Sequence, residues 1–128
     1  MNPKQFLVVG GVVLLLLGIL GYLTGTPTGG PLDLMVWLTS GENIAHVVLG
    51  IVALIAAYTL GGGARKWLTV IVGLVALYFG LVGFTLAPTQ VGAMNYYGVA
   101  NLELFDNLLH IVVAVWAFWA ASRKEMMM

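Results

Sequence analysis
A chain of 128 residues that is 61% hydrophobic and 8% charged has too little polar surface to cover a soluble fold, since an average soluble domain is about 25% charged. The formal net charge is zero, so no basic field exists to attract nucleic acid. The absence of cysteine excludes disulfides, thiolate metal sites and covalent c-type haem attachment.

Phe6 to Leu23 is an unbroken run of apolar residues and glycine, preceded by Asn2-Pro3-Lys4-Gln5. At ~1.5 Å per residue it is long enough for a hydrocarbon core of ~30 Å. It outlasts the core of a cleaved signal, about 7–15 residues, and no Ala-x-Ala-like site follows it, so it reads as a retained span. Pro27, Gly29, Gly30 and Pro31 then break the helix. Leu32 to Leu38 is apolar but too short to span, and Trp37 suits an interfacial segment. Ser40 is the expected N-cap of a second helix, 42–60.

Gly61 to Lys66 reads as a short turn that makes helices two and three antiparallel neighbours. Its glycine triplet lacks the Lys-Ser/Thr of a phosphate loop. A third span is predicted at 67–86. A second outer loop with Pro88, Tyr96 and Tyr97 follows, and a fourth span at about 104–122, whose start falls between Asn101 and Asp106. Lys4, Arg65, Lys66, Arg123 and Lys124, which are every lysine and arginine, fall on one side of this layout. Asp33, Glu42, Glu103 and Asp106 fall on the other. The positive-inside rule then puts both termini in the cytoplasm.

The chain repeats itself. Gly11, Gly18 and Gly21 recur as Gly73, Gly80 and Gly83, a shift of 62 (73 − 11). His46, Gly50, Ala53 and Ala57 are answered by His110, Ala114, Ala117 and Ala121, a shift of 64 (110 − 46). Both sets hold helical spacing, and small residues at such spacing let helices approach without a hydrophobic driving force. The expected architecture is therefore one all-α membrane domain over residues 1–128, an up-down bundle of four transmembrane helices. It is built from two parallel helical-hairpin repeats, 5–60 and 67–122, related by an axis along the membrane normal. In such a bundle helices two and four are diagonal.

Two motifs stand at equivalent places in the repeats, Glu42-Asn43-Ile44-Ala45-His46 and Asp106-Asn107-Leu108-Leu109-His110. With an apolar helix after each and Gly18-x-x-Gly21-Tyr22 ending helix one, the chain resembles the bacterial four-helix membrane family catalogued as domain-of-unknown-function family 4383. That resemblance implies a four-span integral membrane protein of bacterial type and carries no activity, ligand or catalytic residue with it. The chain departs from the pattern in the first copy, which has Glu42 and the small Ala45.

The polar residues admit several readings. In the structural one, Glu42 and Asp106 sit near helix N-termini and accept a hydrogen bond from the histidine one turn deeper, while Asn43 and Asn107 bond across helices. In a second, His46 and His110 hold haem b axially or each bind a chlorophyll-type pigment. In a third, Glu42, His46, Asp106 and His110 together hold zinc or iron. A conduit is disfavoured because no Asp, Glu, Lys or Arg falls in the middle of a predicted span. With so few polar groups the expectation is a small non-enzymatic membrane subunit or scaffold of the bacterial inner membrane. It needs no cofactor, and it associates with other membrane proteins or with itself. The bis-histidine haem or pigment protein is the alternative.

Overall fold
The structure is a computed structural model, and it describes residues 1–24, 40–86 and 104–125. These form four helices: α1 (Pro3–Thr24), α2 (Ser40–Thr59), α3 (Gly62–Thr85) and α4 (Leu104–Ala121). No strand occurs among the described residues. The interfacial segment expected at 32–38, and Trp37, Tyr96 and Tyr97, lie outside them.

α1 starts earlier than its apolar run suggests, and the cause is local. Asn2 N–H donates to Gln5 Oε1 at 3.0 Å, and Gln5 N–H donates to Asn2 Oδ1 at 2.9 Å. This reciprocal pair is a capping box, with Pro3 at the first helical position where its missing N–H costs nothing. α3 also starts early. Only Leu60 and Gly61 turn the chain, Gly61 is the extended N-cap, and Arg65 and Lys66 belong to the helix, not to a six-residue turn.

α1 packs along α2, α3 packs along α4, and α1 makes lesser contacts with both α3 and α4. α2 and α3 hardly touch, which corrects the expectation that they are packed neighbours in a simple up-down square. A tight turn brings two helices together only at one end. What holds helices side by side here is the glycine notches, and those of α1 receive α2 while those of α3 receive α4. A Cβ at Gly11 would stand 3.0 Å from Gly50 O, and one at Gly18 would stand 2.8 Å from Asn43 O. At Gly73 it would meet the Phe118 ring, and at Gly80 the Ile111 side chain. Within each hairpin the contacts run in opposite senses along the two helices, so each hairpin is antiparallel.

One end of the molecule gathers both hairpins. Phe6 and Leu7 are buried with Ala56, Ala57, Ala117 and Ala120 in one cluster. Phe6 meets Trp116 edge to face at 4.6 Å between centroids, and Trp116 Nε1 donates to Met1 Sδ at 3.1 Å. Arg65 donates to both carboxylate oxygens of Glu125, with the shortest contact 2.7 Å. Arg65 also donates to Leu60 O and to Ala57 O, satisfying carbonyls left open at the end of α2. The starts of α1 and α3 and the ends of α2 and α4 therefore share this end.

The Arg65 guanidinium holds the Glu125 carboxyl below its ordinary range, with the Lys4 backbone N–H and charge adding to the effect. A depressed carboxylate pKa contributes stability at neutral pH that is lost as pH falls through the folded-state value. Wild-type protein is thus expected to exceed Glu125→Gln in stability at neutral pH by ~1 kcal/mol or less, and the two unfolding curves should converge once the pH lies below that value. A gap that persists unchanged at low pH would show that the ion pair is not its source.

α1, α2 and α3 are each long and apolar enough to cross a membrane, while the apolar stretch of α4, Asp106–Ala121, is shorter. At ~1.5 Å per residue, the described part of α4 covers most of the ~30 Å hydrocarbon thickness. Large apolar side chains lie exposed along every helix, among them Leu16 at 54%, Ile55 at 57%, Ile71 at 54% and Val115 at 64%. Away from the two ends the buried positions are instead small, among them Gly50, Gly73, Ala76, Ala114 and Ala117. Such an inside-out distribution is what helices in lipid show, where small residues serve contact and bulky ones face hydrocarbon.

Candidate functional site
The two acid–Asn–x–x–His motifs sit at the end of the molecule opposite Arg65 and Glu125, in the first turns of α2 and α4. Asn43 and Asn107 are buried to the same degree, 4% and 3% exposed. Each faces a glycine of the helix packed against it. The three nearest atoms to a Cβ at Gly21 all belong to the Asn43 carboxamide, and the Asn107 carboxamide stands in the same relation to Gly83. Asn43 Oδ1 and Asn107 Oδ1 have no conventional hydrogen-bond partner. Their oxygens point instead at the face of glycine that carries only hydrogen, the setting of a weak Cα–H···O contact. The expected bond across helices is thus replaced, for the oxygen, by docking into a notch.

His46 and His110 lie one turn deeper and are partly buried. His110 Nδ1 is 3.7 Å from Asp106 Oδ1. That is an ion-pair distance and too long for a hydrogen bond. His46 Nδ1 and His110 Nδ1 are both buried without a hydrogen-bond partner, so the expected acid–histidine hydrogen bonds through these atoms do not form. At Asp106 and His110 the side-chain rotamers leave the two atoms a few tenths of an ångström beyond hydrogen-bond reach. The His110 ring leans on Phe79, with centroids 5.8 Å apart and planes tilted by 34°, and Phe79 meets Tyr78 edge to face.

Among the described residues no three His, Asp or Glu side chains come together as a set able to hold a metal ion. Glu42, His46, Asp106 and His110 are therefore not assembled as the four-ligand site considered from the sequence. They lie on two helices that hardly touch, each reached through its partner in the hairpin.

Sequence reasoning missed three features. The Asn2/Gln5 capping box had a readable signal, Asn-Pro-x-Gln before an apolar run. The Arg65–Glu125 pair had none, being 60 positions apart. Nor does any sequence spacing place Phe79 against His110, which sit on different helices.

The described residues define a class, all-helical with four helices of which three are long and apolar enough to cross a membrane. In comparison with known proteins, no protein-family model, no curated protein and no solved structure matches the chain. The family resemblance noted above accordingly rests on its quoted motifs alone.

Proposed function
We propose that the chain is a small, non-enzymatic integral membrane protein, an accessory or scaffold subunit that associates with other membrane proteins or with copies of itself. The observation that carries this reading is the surface. Bulky apolar side chains cover all four helices, while the polar groups collect at the two ends. In this reading α4 spans as well. Arg123 and Lys124 at its end reach to the interface. All five lysines and arginines then face the cytoplasm of a bacterial-type inner membrane, with both termini beside them. The two hairpins are repeats of one unit related by an axis along the membrane normal.

A second reading has one observation in its favour, the buried Nδ1 atoms of His46 and His110 left without partners at the same end of the molecule. In that reading the two imidazoles serve a haem b or a chlorophyll-type pigment.

One preparation tests both. The chain is expressed with haem and pigment available, crosslinked in the membrane, extracted in mild detergent, and examined by native mass spectrometry and visible absorption. The subunit reading expects resistance to carbonate extraction and masses above the monomer, and a free monomer alone sinks it. The cofactor reading expects an absorption band that disappears in His46→Ala/His110→Ala, and a colourless sample sinks that.

A further inference from the structure
An open cleft of about 490 Å³ lies at the basic end of the molecule, between the start of α3 and the segment that follows α4. Its charged lining is Lys66, Arg123 and Lys124 against one carboxylate, Glu125. That carboxylate is already occupied by Arg65. Ser122 also lines the cleft, but its hydroxyl is turned back to donate to Trp119 O at 2.6 Å. Among the described residues, the three cations are thus concentrated around a concavity without an anion of their own. Gly63 forms part of the wall, and a Cβ placed there would meet nothing within 4 Å, so the space beside it is open.

We propose that this cleft binds a phosphate group, with Lys66, Arg123 and Lys124 as its cationic ligands. Cations converging on a concave surface concentrate an anion more than the same charges spread over a flat one, and guanidinium with ammonium groups is the donor set that phosphate oxygens take. Two sources carry that chemistry, the headgroup of an anionic phospholipid and a free phosphate-bearing solute. The aromatic setting favours the lipid. Lys66 Nζ lies 5.8 Å from the centre of the Trp67 ring, and the Arg123 guanidinium 5.6 Å from that of Trp119. Tryptophan beside a cation at a helix end is the pattern of a membrane–water interface, where basic pockets between helices take lipid headgroups. The lipid source rests on the membrane reading above; the phosphate chemistry does not.

The full chain in zwitterionic detergent is titrated separately with phosphatidylglycerol, phosphatidylcholine and inorganic phosphate, and bound species are counted by native mass spectrometry. Phosphatidylglycerol is expected to be retained over phosphatidylcholine, and the preference should fall about five-fold for each of Lys66→Gln, Arg123→Gln and Lys124→Gln. Gly63→Glu, which sets a carboxylate into open space, should lower it comparably without disturbing the fold. Lys4→Gln, whose charge reaches Glu125 but whose side chain does not line the cleft, should lower it by much less than any of these. Retention of inorganic phosphate, lost in the same variants and without a lipid preference, would support the site with a free solute as its source. Equal retention of both lipids with no bound phosphate overturns the proposal, and so does a loss in Lys4→Gln as large as in Lys66→Gln. Carbonate extraction of native membranes reads the membrane assignment independently of these titrations.

Discussion

Gly50→Ala is expected to be the most damaging single-methyl addition in the molecule, with a cost of about 1–3 kcal/mol. The new Cβ would lie 2.7 Å from Gly11 O, 2.8 Å from Leu15 N and 3.1 Å from Leu15 Cα, all of them backbone atoms of α1. No rotamer change can make room, so α1 and α2 must separate along their length. Separation then lifts the neighbouring notches at Gly11 and Gly18 off α2 as well. Gly10→Ala is the internal control, because a Cβ there meets nothing within 4 Å. In a helix interior that change is neutral or favourable by ~0.5–1 kcal/mol. Tryptophan fluorescence during titration of mixed micelles with dodecyl sulfate measures both variants. Equal midpoints for the two would mean that α1 and α2 are not held by this contact. The second hairpin carries Ala114 where the first carries Gly50, so the intolerance belongs to one hairpin only.

The second large effect is a compensation. Gly83→Ala alone puts a Cβ into the Asn107 carboxamide, and the same ~1–3 kcal/mol is expected. Here the three nearest obstructing atoms all belong to one side chain, so Asn107→Ala removes them. The double variant Gly83→Ala/Asn107→Ala should therefore be more stable than the sum of the single effects predicts, with a coupling of about 0.5–3 kcal/mol. Gly21→Ala with Asn43→Ala should behave alike in the first hairpin. Truncating a side chain offers no such relief to Gly50→Ala. Single effects that add within ~0.5 kcal/mol at Gly83 and Asn107 would mean that the carboxamide does not fill the notch.

These two cases also show what the sequence can and cannot express. Four helices are readable because lipid-length apolar runs broken by Pro27, Pro88 and the Gly61 turn leave few other solutions. Gly11, Gly18, Gly21 and their counterparts are readable as a helical face, but which helix fills each notch is a tertiary fact. That is why α2 and α3, adjacent in sequence, were expected to pack and do not. The motif residues are readable as a group at one helix end. Their chemistry is less so, because a hydrogen bond depends on tenths of an ångström. The 3.7 Å between His110 and Asp106 and the docking of Asn43 on Gly21 both turn on rotamers that spacing does not fix.

The Arg65–Glu125 clasp bears on the order in which the molecule is built. Glu125 leaves the ribosome 60 residues after Arg65, so the carboxylate that ties α1, the α2–α3 connection and the end of α4 together arrives well after its partner. Until then the first hairpin must hold itself by the close approach of Gly11 and Gly50, while Arg65 is without its carboxylate.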